Sequence, residues 1–244
     1  MDNTIAENLE RWNENHTWAK GGDEWDGQAE KCGILYETWK QSLIDTLILP
    51  NVTDKSVLEI APGYGRWSEH ILKVAKRVVL VDLSPNCIEH CRERFGEADN
   101  IEYHVNDGLS LPADLTSEID FVWSYDSFVH MNADVIYCYF QEFARVLKPD
   151  GKAIIHHANR GLVRLAFLRN LGRGGRLLYR YVSQGLSGEI DDGWRSDVSA
   201  AIVSRLVESS GLIVEEQIQY WGENGCGVPR FNDRITTIRK PRSA

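Results

Sequence analysis

The stretch from Ser56 to Leu72 constrains the fold of this chain more than any other part of the sequence. Ser56–Ile60 is a short apolar run around one acid, which is typical of a buried parallel strand. From Trp67 onward, apolar residues recur at helical spacing. The glycine-rich turn Ala61–Gly65 lies between them, and its glycines permit a positive φ and a close approach of a ligand to the backbone. Strand, glycine turn and helix form the nucleotide-binding unit of doubly wound α/β folds.

The rest of the chain alternates strands with helices. Ser84-Pro85 places a serine cap and a first-turn proline at the start of one helix. A second amphipathic helix is predicted from Val135 to Leu147, before Pro149-Asp150-Gly151. Further strands are predicted at Val78–Asp82, Ile101–Val105, Ile119–Tyr125, Lys152–His156, Leu212–Tyr220 and Ile235–Arg239, and a further helix at Ser196–Ser210. This alternation predicts an α/β fold with a parallel sheet and right-handed crossovers.

Residues 1–49 form a leader before the first strand. Trp12, Trp18 and Trp25 are too many large aromatics for a disordered tail. Residues 28–48 place their apolar side chains on one face of a predicted helix. We expect residues 1–49 to be an aromatic-rich cap that covers the cofactor or substrate cleft as a lid. The alternative is that the tryptophans only pack on the edge of the sheet.

Composition limits the partners and the location of the chain. The net charge of −9 and the isoelectric point near 5.3 argue against broad nucleic-acid binding, which needs a basic field. The five cysteines form no CxxC pair, so we expect free thiols in a reducing compartment and no metal site. The polar, acidic start is unlike a signal peptide, and no apolar run approaches 18 residues. These features predict a soluble, cytoplasmic protein without an integral membrane segment; a homo-oligomer stays open.

Three acids stand at the ends of successive predicted strands: Glu59 and Asp82 end the first two, and Asp107 follows the third. Parallel strands direct their carboxyl ends to one edge of the sheet, where the ligand binds. A pyrophosphate favours amides and basic groups, whereas a ring of acids suits a cationic ligand without phosphate. S-adenosylmethionine (SAM) is such a ligand, because it carries an ammonium and a sulfonium beside its ribose. An NAD(P)-dependent reductase or epimerase is the alternative, since Gly63-x-Gly65-x-x-Ser68 partly matches the dinucleotide fingerprint.

With these acids and the motif Glu59-Ile-Ala61-Pro-Gly63-Tyr-Gly65, the chain resembles the class I SAM-dependent methyltransferases. Alanine stands in place of the first glycine of their motif. The resemblance covers about residues 50 to 240. It implies a methyltransferase domain over residues 50–244, with a Rossmann-like, seven-stranded, mostly parallel sheet, helices on both faces and an N-terminal helical cap. It also implies SAM as the cofactor.

The resemblance assigns expected contacts to the cofactor. Asp82 would hold the ribose hydroxyls, and Gly63 and Gly65 would lie against the methionine part. Glu59 would order the turn or meet the ammonium through water. The exocyclic amine of adenine would donate to an acid beside Gly108. The full expected set is Glu59, Ala61, Gly63, Gly65, Asp82, Leu83, Asn106, Asp107, Gly108, Ser124 and Tyr125.

The combined motifs are similar to those of bacterial methyltransferases encoded with polysaccharide and glycolipid biosynthesis, and methyltransferases of secondary metabolism share the same core. This resemblance implies O-methylation of a small polar acceptor, first a sugar hydroxyl of a glycoside, glycolipid or polysaccharide precursor. The alternatives are N- or carboxyl-methylation of a small metabolite, and a SAM-binding protein without catalysis. The expected acceptor contacts are Trp18, Tyr64, Asn159, Trp194 and Arg195.

Residues 159–195 interrupt the strand–helix rhythm and are expected to be an inserted segment on the substrate side. Six arginines stand among its leucines: Arg160, Arg164, Arg169, Arg173, Arg176 and Arg180. A solvated basic face is one interpretation. Contact with a phosphate, a carboxylate or an anionic membrane surface is the other.

Methylation of a hydroxyl needs a base that removes its proton as the methyl group is transferred. Histidine suits this role, because an unperturbed pKa of about 6.5 leaves it mostly neutral near pH 7. His130 follows the fourth strand and is the first candidate, with Asp126 orienting its ring. His157, after the fifth strand, is the second candidate. The competing hypothesis is that His130 only caps the next helix.

Overall fold

The computed structural model of the protein describes residues 3–160, 171–187, 195–196, 198–222 and 224–242. The helices lie at Ile5–Glu10 (α1), Gly27–Cys32 (α2), Tyr36–Leu43 (α3), Leu49–Val52 (α4), Ser68–Ile71 (α5), Pro85–Phe95 (α6), Ala133–Val146 (α7), Gly172–Ser187 (α8) and Ala200–Ser209 (α9). The strands lie at Ser56–Ile60 (β1), Arg77–Asp82 (β2), Ile101–Val105 (β3), Ile119–Ser124 (β4), Leu147–His157 (β5), Ile213–Ile218 (β6), Tyr220–Trp221 (β7), Cys226–Gly227 (β8) and Arg234–Arg239 (β9).

Within the described residues, seven strands form one sheet in the order β3-β2-β1-β4-β5-β9-β6. The strands from β1 to β5 pair in parallel, whereas β9 runs antiparallel between β5 and β6. This arrangement confirms the predicted seven-stranded, mostly parallel sheet. The order reverses between β1 and β4, and ligands of such sheets bind at that switch point, outside the carboxyl ends of the strands.

The sheet is covered on both faces, which explains why its central strands are continuous apolar runs. On one face, Val57, Phe121 and Trp123 pack with Trp39 of α3. On the other face, the buried side chains of β1, β2 and β4 pack with those of α7 and α9. Leu58, Val79, Val122, Phe140, Phe143 and Val203 belong to this second cluster. The two clusters fix the strand ends that meet at the switch point.

The leader forms several short helices instead of the long helix predicted over residues 28–48. Gly33 ends α2 because it adopts φ 68°, a left-handed conformation that glycine takes without steric cost. After α3 the helix continues as a π-helical turn over Ile44–Ile48. Trp39 is almost fully buried within the main core, so this half of the leader packs as part of the domain.

Other predicted boundaries differ by a few residues. The helix predicted at Ser196–Ser210 begins at Ala200, because Ser199 caps it by accepting a hydrogen bond from the backbone N–H of Ile202. Strand β5 is longer than predicted and starts at Leu147. In the segment 159–195, the structure describes α8 and the residues at either end, and the other positions lie outside the described residues.

The described part of the chain contains no helix long and apolar enough to cross a bilayer. It also shows no group of three or more His, Cys, Asp or Glu side chains arranged to hold a metal ion. The cysteines are free thiols.

Candidate functional site

A cavity of about 430 Å³ lies at the carboxyl ends of β1, β2 and β4. Ile60 and Asp82 from the strand ends form its floor, together with Tyr125 just after β4. Trp12 and Trp25 of the leader form part of its wall. Its volume falls in the range of small-molecule pockets, roughly 300–1,000 Å³. The switch point of the sheet is therefore a ligand-sized cleft with the leader on its other side.

Asp82 ends β2 at the cavity wall. Its carboxylate accepts hydrogen bonds from the backbone N–H of Gly63 at 3.2 Å and of Ser84 at 2.8 Å. Burial raises the pKa of Asp82 to about 6, although these backbone donors lower it. The structure thus holds a carboxylate beside the glycine turn, where the sequence predicted a contact to a ribose.

Trp18 of the leader covers the glycine turn. Gly63 adopts φ 58°, and a Cβ added there would lie 2.7 Å from the Trp18 ring. That ring stacks on Tyr64 at 4.7 Å between centroids, and Tyr64 stacks on His90. Gly63 and Trp18 both line the cavity, whereas the ring of Tyr64 lies between Trp18 and His90.

Gly65 and Glu59 lie behind the cavity instead of facing it. A Cβ added to Gly65 would lie 2.5 Å from the ring of Phe95, so this glycine permits close packing of α6 against the turn. Its contact to the cofactor stays a prediction. Glu59 is buried and accepts a hydrogen bond from the Ser68 hydroxyl at 2.6 Å. Burial raises the pKa of Glu59 to about 8. Of its two predicted roles, this contact fits the ordering of the turn.

The turn after β3 brings Gly108 to the cavity but not Asp107. The Asp107 carboxylate is exposed and accepts hydrogen bonds from the backbone N–H groups of Leu109 and Ser110, which close its own turn. The contact of Asp107 to adenine stays a prediction. The side-chain amide of Asn106 donates to the hydroxyl of Tyr139, another cavity residue.

Beyond β4, Tyr125 lines the cavity and Ser124 does not. The Ser124 hydroxyl donates to the backbone carbonyl of Ile60 at 2.9 Å, tying β4 to β1. The Tyr125 hydroxyl is buried without a hydrogen-bond partner among the described residues. Its ring stacks on His156 at 4.4 Å between centroids. A buried hydroxyl without a hydrogen-bond partner lowers the stability of the fold. The Tyr125 hydroxyl is therefore available to form a hydrogen bond with a ligand in the cavity.

His130 lies at the cavity in a short 3-10 turn, Phe128–His130. Its ring is tilted against Trp12 at 5.4 Å between centroids, and its backbone carbonyl accepts a hydrogen bond from the Asn8 side chain at 3.1 Å. The turn therefore places a histidine between the sheet and the leader, in reach of a molecule in the cavity.

We predicted that Asp126 orients the ring of His130. The structure instead pairs Asp126 with His156. One carboxylate oxygen of Asp126 lies 3.0 Å from Nδ1 of His156, and the other lies 3.4 Å from Arg66. Burial opposes its ionisation, but the hydrogen bond and charge of His156 and the charge of Arg66 lower the pKa of Asp126 to about 2. Asp126 is thus a permanent carboxylate at the cavity wall. It can accept a hydrogen bond from a ligand and is a weak base.

His156 connects Asp126 to a second buried carboxylate. Its Nε2 lies 3.2 Å from Asp233, which also accepts hydrogen bonds from Gln28 and Arg195. His156 and Asp233 are fully buried. Burial lowers the pKa of His156, and the nearby Asp126 raises it. Asp126, His156, Asp233 and Arg195 thus form a continuous polar network at the cavity, beside the ends of β4 and β5.

Arg66 joins the leader to this network. It follows the glycine turn, is almost fully buried, and contacts Asp23 at 3.1 Å as well as Asp126. It also donates to the hydroxyl of Tyr36 and the carbonyl of Trp25. A buried charge needs such pairing, because desolvation is costly.

His157 faces away from the cavity, so its assignment as the second candidate base is wrong. Its Nδ1 donates to the carbonyl of Ala158, and its Nε2 lies 2.6 Å from the Thr236 hydroxyl. Burial lowers the pKa of His157 to about 4. Successive residues of a strand point to opposite faces, and β5 turns His156 toward the site and His157 into the core.

The predicted acceptor contacts separate in the structure. Arg195 lines the cavity and pairs with Asp233. The side chain of Asn159 instead accepts a hydrogen bond from the backbone N–H of Ala200 at the start of α9. Asn159 therefore supports the start of α9, and its contact to the acceptor stays a prediction. Trp194 lies outside the described residues.

The sequence interpretation missed three residues of the site: Arg66, His156 and Asp233. Arg66 directly follows the glycine motif, and its position was the available signal. His156 and His157 are adjacent in the sequence, and only the strand register decides which of the two rings faces the cavity. Asp233 precedes the antiparallel strand β9, which carries it back beside β5 from 77 residues away.

Comparisons with known proteins agree with this geometry. Residues 57–151 match the family described as "Methyltransferase domain". The chain contains a class I SAM-dependent methyltransferase domain. A probable ribosomal RNA small subunit methyltransferase A from Methanosarcina acetivorans is 28% identical over 109 residues, 40% of this chain and 39% of that protein. The match thus spans about two fifths of this relative.

Two solved structures share the fold of the domain. Magnesium protoporphyrin IX methyltransferase from Synechocystis PCC 6803, with bound S-adenosylhomocysteine (SAH), has a TM-score of 0.57 at 14% identity. The alignment covers 98% of this chain and 95% of that one. The N-methyltransferase NodS from Bradyrhizobium japonicum WM9, also with SAH, has a TM-score of 0.57 at 16% identity over 98% and 99% of the chains.

The residues at the cavity fit SAM, the cofactor of this class. The Asp82 carboxylate offers acceptor oxygens for ribose hydroxyls, and the apolar side chains of Val81 and Leu83 flank it. The backbone of Gly63 lies beside that carboxylate, and the ring of Trp18 packs over it. Glu24 and Asp126 also line the cavity and add negative charge, which suits a cationic ligand.

Proposed function

We propose that this protein is a SAM-dependent methyltransferase that acts on a hydroxyl of a small polar acceptor, with a sugar hydroxyl as the favoured class. The observation that carries the proposal is one cavity with two chemically different ends. Asp82 of β2 and Gly63 of the glycine turn line it on one side, which we take as the cofactor end. Asp126 and His130 line it in the loop after β4, two strands from β2 in the sheet, and Arg195 lines it as well; we take these residues as the acceptor end. Bound SAM supplies an electrophilic methyl group on its sulfonium.

The acceptor end favours a small polar ring over a polymer. Trp12 and Trp25 offer aromatic faces, on which the C–H faces of a sugar pack. Asp126 and Arg195 offer an acceptor and donors for hydroxyl groups beside those faces. The leader also narrows the cavity, and the chain carries a net charge of −9, which disfavours nucleic acid.

In this proposal the residues of the chain align the acceptor and remove its proton. Asp126 stays ionised and orients a hydroxyl by accepting its hydrogen bond, while His156 and Arg66 hold the carboxylate in place. His130 is the base, because its imidazole ring lines the same cavity and packs beside Trp12 in the loop after β4. Positioning of reactants and a positioned base each contribute large rate factors, about a hundred- to ten-thousand-fold for the base.

Incubation of the protein with labelled SAM and a panel of sugars, glycolipids, amines and carboxylic acids tests the proposal. We expect transfer to a hydroxyl compound. His130→Ala and His130→Gln should lower kcat at least about a hundredfold, since neither side chain takes up a proton. SAH affinity, measured by calorimetry, should stay within about threefold, because this histidine does not contact the cofactor end. His104→Ala, on β3 away from the cavity, is the matched control and should retain activity.

Several outcomes would contradict the proposal. Transfer only to RNA or protein would exclude the small acceptor, and transfer only to amines would exclude the hydroxyl. Tight NAD(P) binding without SAH binding would exclude SAM as the cofactor. Near-normal turnover of both His130 variants would exclude His130 as the general base.

A further inference from the structure

Residues 160–188 differ in charge from the rest of the molecule. The stretch contains six arginines and no aspartate or glutamate, whereas the whole chain has a net charge of −9. Helix α8 lies in this stretch. Opposite charges on one molecule direct the positive region toward an anionic partner and the remaining surface away from it.

Helix α8 has an exposed apolar face. Among the described side chains of the helix and the residue before it, the exposed apolar ones are Leu171 (62%), Leu177 (66%), Leu178 (50%) and Tyr181 (77%). Tyr179, on the opposite side, is buried and holds the helix to the domain. Arg173 and Arg176 are exposed. Arg173 lies one turn before Leu177 at the edge of the apolar face, and Arg176 lies beside Arg173, since residues three and four apart occupy neighbouring positions on a helix.

We propose that α8 docks on the surface of an anionic lipid bilayer. Its exposed face would enter the boundary between headgroups and acyl chains, and its arginines would contact lipid phosphates. A helix that lies in this interface carries large apolar residues on one face and arginines beside them. A merely solvated basic face would not require Leu177, Leu178 and Tyr181 to stand exposed together.

The position of α8 relates this surface to the cavity. The helix packs against the turn Arg230–Asn232, and Arg230 and Phe231 of that turn line the cavity. A docked molecule would therefore hold the acceptor side of its cavity near the headgroups. The docking is independent of the proposed methyl transfer, and a cavity that binds no SAM would leave it standing.

Cosedimentation of the full chain with vesicles tests the inference. We expect binding to phosphatidylcholine vesicles that contain 30% phosphatidylglycerol, and at least about tenfold weaker binding to phosphatidylcholine alone. Binding should weaken in 0.5 M salt, which screens the arginines. The variant Leu177→Glu/Tyr181→Glu should lose binding at either salt concentration. Arg173→Glu/Arg176→Glu should weaken it at least roughly twentyfold, about fivefold for each lost arginine.

Two control variants separate docking from general charge. Lys73→Glu/Lys76→Glu makes the same change of net charge elsewhere on the surface, and Leu35→Glu replaces another exposed leucine, outside α8. Both should bind vesicles like the wild type. Circular dichroism spectra that match the wild type show that each variant is folded.

Equal binding of the α8 variants and the controls would overturn the inference, as would failure of the wild type to bind the anionic vesicles. Gel filtration adds a third outcome. A wild-type dimer that Leu177→Glu/Tyr181→Glu splits into monomers, without vesicle binding, would assign this face to a second copy of the chain and overturn the lipid proposal.

Discussion

Glu59 is enclosed under the glycine turn, where only the Ser68 hydroxyl donates to its Oε2 among the described side chains. Burial is the main cause that raises its pKa to about 8, and the neighbouring Asp82 raises it further. An unfolded glutamate has a pKa of about 4.5. The folded protein therefore keeps a proton on Glu59 through the pH range in which the unfolded chain releases it.

The free energy of unfolding should consequently fall as the pH rises from about 4.5 to about 8, because the unfolded state binds fewer protons over this range. Glu59→Gln removes this contribution and keeps an acceptor for Ser68. Urea unfolding of both proteins at pH 5, 6, 7, 8 and 9 measures the difference. We expect the wild type to lose a few kcal/mol relative to the variant between pH 5 and 8. Parallel pH profiles would show that Glu59 titrates in its ordinary range.

His156 and Asp233 belong to the part of the site that local sequence patterns do not predict. The acid and glycines of the first motif are local, so Asp82, Gly63 and the turn between β1 and α5 could be predicted. The pairing of Asp126 with His156 and Asp233 depends on the register of β5 with β9. The sheet brings these residues together across long stretches of chain, and no local spacing encodes that register.

At the scale of elements, most strands and the long helices followed from the alternation of apolar runs with turn residues. The fold of the leader did not. The apolar periodicity predicts one helix that continues through Gly33, but Gly33 adopts a left-handed conformation and ends the helix there. Periodicity carries no information about such a residue. The sequence likewise does not indicate that the Asp107 carboxylate accepts hydrogen bonds from the backbone of its own turn, which is a common use of aspartate after a strand.

The Trp18 segment of the leader yields a prediction about cofactor binding. The Trp18 ring packs on Gly63 and stacks on Tyr64 at the cofactor end of the cavity. If the leader is a lid, Trp18→Ala should weaken SAH binding about tenfold, mainly through faster dissociation, because an aromatic contact contributes about 1 kcal/mol beyond its buried area. Trp18→Phe, the matched variant, retains a stacking ring and should bind nearly as the wild type.

Stopped-flow fluorescence measures the dissociation rate, and calorimetry measures the affinity. Unchanged rates and affinity in Trp18→Ala would show that the tryptophan only packs against the sheet, which is the alternative role of the leader.

At the scale of the whole molecule, the leader divides into two parts, whereas the sequence analysis predicted a single cap over residues 1–49. Trp39 of α3 lies 1% exposed in the same core cluster as Phe121 and Trp123 of β4. Its indole N–H donates to the carbonyl of Gly227 in β8 at 2.8 Å. The preceding part, with Trp12 and Trp18, lies over the cavity. Arg66 connects the two parts through Asp23 and Tyr36.

Two truncations should therefore behave differently. Removal of residues 1–49 uncovers one face of the sheet and deletes Trp39, and loss of a buried tryptophan alone costs about 3–5 kcal/mol. We expect this truncated chain to lack a cooperative thermal transition, since domains of this kind are stable by only about 5–15 kcal/mol. Removal of residues 1–24 keeps α2 and α3 and should leave a cooperative transition with weakened SAH binding. Near-ultraviolet circular dichroism during heating distinguishes the two. A cooperative transition of the 50–244 chain at the wild-type temperature would show that the domain folds without α3, and that all of residues 1–49 is an accessory cap.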